Sequence, residues 1–95
     1  GMVYWDCSGL TMRAYEAAGI SLPHSSAMQF KYGKPVELQD LQPGDLVFWD
    51  KPISHVAIYL GGGRMVTAPR TGARVKIDNF VMNLGKKKYA GARRL

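Results

Sequence analysis

The spacing of apolar residues predicts a helix near the start of the chain. Over residues 6–18, small and apolar side chains recur three or four positions apart, as on the buried stripe of a packed helix. The ends of this segment carry suitable capping residues, Asp6 before it and Gly19 after it. A second, shorter helix is predicted from Ser25 or Ser26 to about residue 32.

After residue 40 the pattern becomes typical of strands. Pro43 and Gly44 occupy the middle of a predicted type II turn, which leads into the apolar run Leu46–Trp49. Further strands are predicted over residues 55–60, 64–68 and 73–77, and three glycines join the first two of these. Residues 90–95 are predicted to add an edge strand. Helices followed by antiparallel strands indicate the α+β class.

Length and composition favour one small globular domain over residues 1–95. The chain is 46% hydrophobic and 21% charged, which argues against disorder. No apolar run approaches the roughly 20 residues that span a bilayer. One cysteine cannot form an internal disulfide, and with two distant histidines it gives no metal-ligand spacing. Neither a metal nor a cofactor is predicted.

The net charge of +6 suggests affinity for polyanions, and basic residues concentrate near the C-terminus, at Lys86–Lys88 and at Arg93 and Arg94. Nucleic acid, anionic lipid and an acidic cell-wall polymer are the candidate partners. The alternative is a solvated basic tail that only aids solubility.

Cys7 is the only cysteine, and its position is unusual for a packing residue. It lies at the predicted N-terminus of the first helix, where exposed backbone N–H groups and the helix dipole favour thiolate over thiol. Cys7 is therefore the candidate nucleophile. Its own backbone N–H, which lacks a partner within the helix, is a candidate donor to an oxyanion.

A thiolate nucleophile needs a base within hydrogen-bond reach, and the chain offers two histidines. His55 begins a predicted strand, which can hold its ring in one direction. His24 follows Pro23 at a junction between a loop and a helix, where it is held less well. His55 is the favoured base. The alternative is a strand-end histidine that only bonds to backbone.

The predicted hairpin brings Thr67 close to His55. If Leu60 pairs with Arg64, the apolar residues of both strands share one face, and Thr67 lies on the face of His55. The two Cβ atoms would be about 7–8 Å apart, diagonally across the ladder. Thr67 could orient the imidazole, although a hydroxyl cannot stabilise imidazolium by charge. High β-propensity accounts for a threonine here equally well.

Four segments, in one order, carry a family resemblance. They are Asp6-Cys7-Ser8-Gly9-Leu10, Ala18-Gly19-Ile20-Ser21-Leu22-Pro23, Leu41-Gln42-Pro43-Gly44-Asp45-Leu46-Val47-Phe48 and His55-Val56-Ala57-Ile58-Tyr59-Leu60-Gly61. Each alone is common, but their order and spacing are specific. Together they resemble the NlpC/P60 family, papain-like cysteine peptidases that cut bacterial cell-wall peptides. The resemblance runs from about residue 6 to residue 77.

The resemblance implies a papain-like fold in which N-terminal helices pack on a small antiparallel sheet. It implies a secreted or envelope-associated endopeptidase that cuts D-γ-glutamyl–diamino acid bonds of peptidoglycan stem peptides through a thioacyl intermediate. Carried onto this chain, Cys7 is the nucleophile, His55 the base, and Thr67 stands where the family has a residue that orients the base. Asp6 and Ser8 match positions that line the substrate groove.

Two departures from the family leave rival interpretations open. The orienting position is normally His, Asn, Gln or Glu, and here it is Thr67. Family members also usually carry a tyrosine and a Trp-Gly stretch about a dozen residues before the cysteine, so the domain is expected to lack this segment. The rivals are a catalytically weak or inactive peptidoglycan-binding module, a phage tail or lysin domain, and a nucleic-acid binder built on Lys86–Lys88. We expect stem peptides to be the partner, rather than nucleic acid.

Overall fold

Two short helices precede the sheet in the part of the chain that the structure describes. This computed structural model describes residues 7–23, 25–67 and 75–95, and only the backbone of residues 7 and 8. Helix α1 spans Cys7–Ala17 and helix α2 spans Ser26–Gln29. Neither has the length and apolar character needed to cross a membrane.

Helix α1 ends where the sequence predicts, whereas helix α2 is shorter than predicted. Helix α1 ends at Ala17, and Gly19 turns the chain with a φ of +83°. Helix α2 ends at Gln29, because residues 30–33 form turns that lead into the first strand. The Oγ of Ser25 accepts a hydrogen bond from the backbone N–H of Met28 and so caps α2. The predicted cap at Asp6 lies outside the described residues.

Seven described strands form an antiparallel sheet. They are β1 (Lys34–Val36), β2 (Leu46–Trp49), β3 (His55–Gly61), β4 (Arg64–Thr67), β5 (Lys76–Asn79), β6 (Asn83–Leu84) and β7 (Lys87–Arg94). Their order is β1-β7-β2-β3-β4-β5, and β6 pairs with the start of β7. A 3-10 turn at Leu38–Asp40 connects β1 to β2. The α+β class is confirmed, and the sheet is larger than predicted.

The last strand corrects the sequence prediction most strongly. Residues 90–95 were expected at an edge, but β7 is eight residues long and lies between β1 and β2. The reason is β1, which the sequence pattern did not indicate and which pairs Lys34 with Arg94. Lys87 and Lys88 therefore belong to a paired strand and not to a solvated tail.

The β3–β4 hairpin follows the predicted register until its end. Ile58 pairs with Val66, as the proposed pairing requires, but Arg64 pairs with Gly61 instead of Leu60. The predicted Leu60–Arg64 pair is wrong because a bulge adds one residue to β3, and Gly61 takes a φ of +87° there. The strand predicted over residues 73–77 overlaps β5 only at its end, and residues 73 and 74 lie outside the described residues.

Strand β2 is buried on both faces, because side chains of opposite direction enter two separate apolar clusters. One cluster contains Val47 and Trp49, with Phe80 and Tyr89 packed against it. The other contains Leu46, Phe48 and Val56, and Tyr15 of α1 packs against it. A continuous apolar run is the expected signature of such a strand.

Hydrogen bonds from Tyr15 and Thr11 fix α1 against the rest of the fold. The hydroxyl of Tyr15 donates to the carbonyl of Gly44, in the predicted turn before β2. That turn is closed by the N–H of Asp45 on the carbonyl of Gln42 at 3.1 Å, with Gly44 at a φ of +96°. Thr11 donates to the side chain of Gln29, whose Nε2 donates to a loop carbonyl at 2.7 Å. Helix α1 is thereby held beside β3.

Candidate active site

The structure places three of the predicted site residues at the ends of elements. Cys7 is the first residue of α1, His55 the first of β3 and Thr67 the last of β4. Ser8 follows Cys7 in the helix, where its backbone alone is described. Asp6 and His24 lie outside the described residues. Helix α1 packs on β3, so the elements that begin at Cys7 and at His55 lie against each other. The approach of the Cys7 sulfur to His55 stays a prediction.

His55 is held in a closed environment. Its side chain is buried, and it pairs across the ladder with Trp49, the last residue of β2. The two aromatic rings lie 5.3 Å apart between centroids. A ring packed in this way has one orientation, as a base acting on a fixed partner requires.

Thr67 is bonded directly to His55. The Oγ1 of Thr67 lies 3.0 Å from Nε2 of His55, and both side chains are buried. The bond leaves Nδ1 as the ring nitrogen without a partner in this contact. If Nε2 carries the proton and donates it to Oγ1, Nδ1 presents a lone pair that can accept a proton from a thiol.

The surroundings of His55 keep its ring neutral. Burial, the largest cause, and the positive charge of Lys87 lower the pKa of His55 to about 4, while the carboxylate of Asp50 acts in the opposite direction. At neutral pH the imidazole is therefore an uncharged acceptor. Protonation of this ring to imidazolium is favoured by negative charge near it and opposed by positive charge.

Asp50 and Lys87 are the functional neighbours that the sequence analysis missed. The pairing of Trp49 with His55 places Asp50, the next residue, at the start of β3. A sequence reader could have found Asp50 from the short β2–β3 connection. Lys87 gives no such signal, because the pairing of β7 with β2 joins segments about 40 residues apart and depends on a bulge at Phe48/Trp49.

A basic pocket opens beside the β2–β3 turn. It has a volume of about 390 Å³ and is lined by Asp50, Lys51, Lys86, Lys88 and Tyr89. A larger depression of about 550 Å³ lies near β1 and Arg94. Within residues 7–23, 25–67 and 75–95, no group of three or more His, Cys, Asp or Glu side chains is placed to hold a metal ion.

With this arrangement established, comparison with known proteins gives the family. The model of the NlpC/P60 family matches residues 2–94, so the chain belongs to that family. A probable endopeptidase of Mycobacterium tuberculosis is 48% identical over 73 residues, which are 77% of this chain and 19% of that protein. The γ-D-glutamyl-L-lysine dipeptidyl-peptidase of Bacillus subtilis is 36% identical over 95 residues, which are 95% of this chain and 32% of that protein.

A solved structure extends the comparison to the fold. RipD of Mycobacterium tuberculosis, described as a non-catalytic NlpC/P60 domain protein adapted to peptidoglycan binding, is similar with a TM-score of 0.78 and 33% identity. The match covers 96% of this chain and 67% of that one. The chain thus has the fold of an NlpC/P60 domain, and it spans between a fifth and a third of the length of the curated relatives described above.

Proposed function

We propose that this domain is a cysteine endopeptidase of peptidoglycan that cuts the bond between D-γ-glutamate and the diamino acid of stem peptides. The observation that carries the proposal is the buried His55–Thr67 pair at the start of β3, in a chain whose α1 begins at the only cysteine. Membership of the family and likeness to the Bacillus subtilis dipeptidyl-peptidase support the choice of substrate. The site of action would be the cell envelope or the medium outside the cell.

The proposed chemistry begins with proton transfer from the Cys7 thiol to Nδ1 of His55. The thiolate attacks the carbonyl carbon of the γ-glutamyl amide, and the backbone N–H of Cys7 donates to the resulting oxyanion. The C–N bond breaks as His55 returns its proton to the leaving amine. Water then attacks the thioester, His55 accepts the proton of that water, and the freed acid leaves Cys7 as the thiol. Asp6 and Ser8 would line the groove beside the reacting bond.

The direct test is cleavage of a defined stem peptide by wild type and by Cys7→Ala. We expect the wild-type chain to release the γ-glutamyl peptide and the free diamino acid, and Cys7→Ala to release neither. A Cys7→Ala variant as active as wild type would overturn the cysteine mechanism. Circular dichroism of both proteins, with matching spectra, controls for folding.

A peptidoglycan-binding module without turnover is the second candidate, and one observation favours it. Thr67 supplies a neutral hydroxyl to His55 where an amide or a charged group would stabilise imidazolium better. The likeness to RipD adds a precedent within the family. The two candidates differ in the reactivity of Cys7 at pH 6, because an activated thiolate is alkylated by iodoacetamide there and an unactivated thiol is not. Equal wall binding by wild type and Cys7→Ala, with no cleavage by either, would favour the binding module.

We further propose that the basic pocket of Lys51, Lys86 and Lys88 binds anionic cell-wall polymers. The three lysines line one cavity, and among the described residues none of them lies in a salt bridge. Its one acidic side chain, Asp50, already accepts hydrogen bonds from Ser54 and Lys88. Such a surface would hold the domain close to its substrate without taking part in the reaction.

A further inference from the structure

The bond between Thr67 and His55 leaves the proposed mechanism without a counter-charge in direct contact with the ring. Transfer of a proton from Cys7 makes His55 positive, and a threonine hydroxyl carries no charge to stabilise it. Lys87 of β7 opposes the positive ring further. Among the described residues, the carboxylate that acts favourably on His55 is that of Asp50.

The contacts of Asp50 place this carboxylate at the start of β3. Asp50 follows Trp49, whose ladder partner is His55. Its Oδ2 accepts a hydrogen bond of 2.6 Å from the hydroxyl of Ser54, the residue immediately before His55. The N–H of Ser54 in turn donates to the carbonyl of Trp49 at 3.1 Å. The β2–β3 turn, which ends at His55, is therefore held closed by a hydrogen bond to the Asp50 side chain.

Asp50 also joins this turn to the neighbouring strand. Its N–H donates to the carbonyl of Lys88 at 2.7 Å, and its Oδ1 accepts from the N–H of Lys88 at 3.2 Å. Asp50 takes a φ of +73°, a left-handed conformation that Asp tolerates better than most residues. One side chain thus connects β7, the turn and the residue preceding the base.

We propose that Asp50 is a positioning residue that fixes the start of β3 and supplies the counter-charge that Thr67 lacks. The inference rests on the proposed function, since only a base that becomes positive needs such a charge. Hydrogen bonds from Ser54 and Lys88, together with the nearby Lys87 and His55, lower the pKa of Asp50 although desolvation opposes them. The carboxylate is therefore ionised wherever the enzyme would work.

The proposal predicts that removing the charge of Asp50 and removing that of Lys87 change the pKa of His55 in opposite directions. Asp50 raises the pKa of His55 and Lys87 lowers it, while burial among Trp49 and Thr67 acts on both variants alike. Asp50→Asn keeps the size of the side chain and removes its charge, so the pKa of His55 falls. Lys87→Gln removes the opposing charge, so the pKa of His55 rises. A purely structural role of either residue would not produce opposite changes.

The titration is followed by NMR of the His55 ring in the Cys7→Ala background, which needs no activity. We expect Asp50→Asn to move the His55 midpoint to lower pH, Lys87→Gln to move it to higher pH, and the double variant to lie between them. Glu16→Gln, which removes an exposed carboxylate on α1, is the matched control and leaves the midpoint unchanged. Equal midpoints for wild type and Asp50→Asn would contradict the proposal that Asp50 supplies the counter-charge.

Kinetics with intact Cys7 test the same residue under turnover. Asp50→Asn is expected to lower kcat about tenfold with little change in KM, because the lost charge acts on the imidazolium and not on bound substrate. Asp50→Glu, which restores the charge, recovers part of the rate. If Asp50→Asn fails to fold, Lys87→Gln and Asp50→Glu still show whether the pKa of His55 responds to the two charges in the proposed directions. Absence of cleavage by wild type refutes the proposed function alone, because the titration does not depend on it.

Discussion

The hydrogen bond between Thr67 and His55 is the contact on which the proposed catalysis depends most directly. We expect Thr67→Val, which keeps the shape of the side chain, to lower kcat/KM about five- to tenfold. A buried hydrogen bond contributes about 1 kcal/mol net, and its loss removes the acceptor that holds the proton on Nε2 of His55. The measurement is stem-peptide hydrolysis at pH 7. Thr67→Asn, which restores an acceptor, is the matched control and should retain more activity than the valine variant.

His55 also makes the stability of the domain depend on pH. In the unfolded chain this histidine becomes protonated as the pH falls below about 6.5. In the folded chain its pKa is about 4, so it stays neutral over most of this range. Protonation of His55 therefore leaves the free energy of unfolding unchanged above pH 6.5 and lowers it as the pH falls, by about 3 kcal/mol at pH 4.

Urea unfolding of wild type and His55→Gln, at a series of pH values between 7.5 and 4, checks this prediction. Groups distant from His55 titrate alike in both proteins, so the difference between the two curves reports His55 together with its coupling to Asp50. We expect the wild-type free energy of unfolding to fall more steeply than that of the variant over this range. Parallel curves would mean that burial does not disfavour the charged ring.

At the level of single side chains, the sequence predicts the contact between Thr67 and His55, because local patterns decide it. Strand alternation and the parity of a short hairpin suffice to put Thr67 on the face of His55, and the structure bonds them. Asp50 and Lys87 escape such reasoning. Their influence on His55 depends on how β7 pairs with β2, and no local periodicity records a pairing between distant segments.

The strands that the sequence misses are those whose partners are distant. β1 has three residues, largely exposed, and only its pairing with β7 makes it a strand. Strand β2 is predicted correctly because both of its faces are buried, which forces a continuous apolar run. The length of β7 and its place inside the sheet follow from β1, and so they become visible only in the folded chain.

The junction of β1 with β7 can be tested through Gly33. Its φ is +72°, and a Cβ at this position would lie 2.5 Å from the carbonyl oxygen of Arg94. We expect Gly33→Ala to destabilise the domain, because the backbone of β7 at Arg94 would have to shift. Gly62 has a similar φ of +61° with open space around it. Gly62→Ala therefore has the cost of a positive φ but not that of a steric clash.

The two alanine variants are compared by urea unfolding. Gly33→Ala should lower the free energy of unfolding by about 2 kcal/mol more than Gly62→Ala, which is a typical cost of overpacking. Equal losses would indicate that β1 and β7 separate easily at this point.

Lysines lie at both ends of β7, so binding by the basic pocket can be distinguished from a general effect of net positive charge. Lys86 and Lys88 line the basic pocket at the start of β7, whereas Lys34 pairs with Arg94 at its other end, seven residues further along the strand. At about 3.4 Å per residue, the two regions are roughly 25 Å apart. Neutralising two lysines at either place changes the net charge by the same amount, from +6 to +4.

We expect the double variant Lys86→Gln/Lys88→Gln to lose most of its binding to anionic cell-wall polymer, because it removes the charge of two of the three lysines that line the pocket. Lys31→Gln/Lys34→Gln, with the same net charge, should bind nearly as wild type does. Sedimentation with purified cell walls at about 0.05 M and 0.3 M salt measures the difference, and the higher salt should weaken wild-type binding through screening. Equal losses in the two variants would show that net charge, and not the pocket, attracts the domain to the wall.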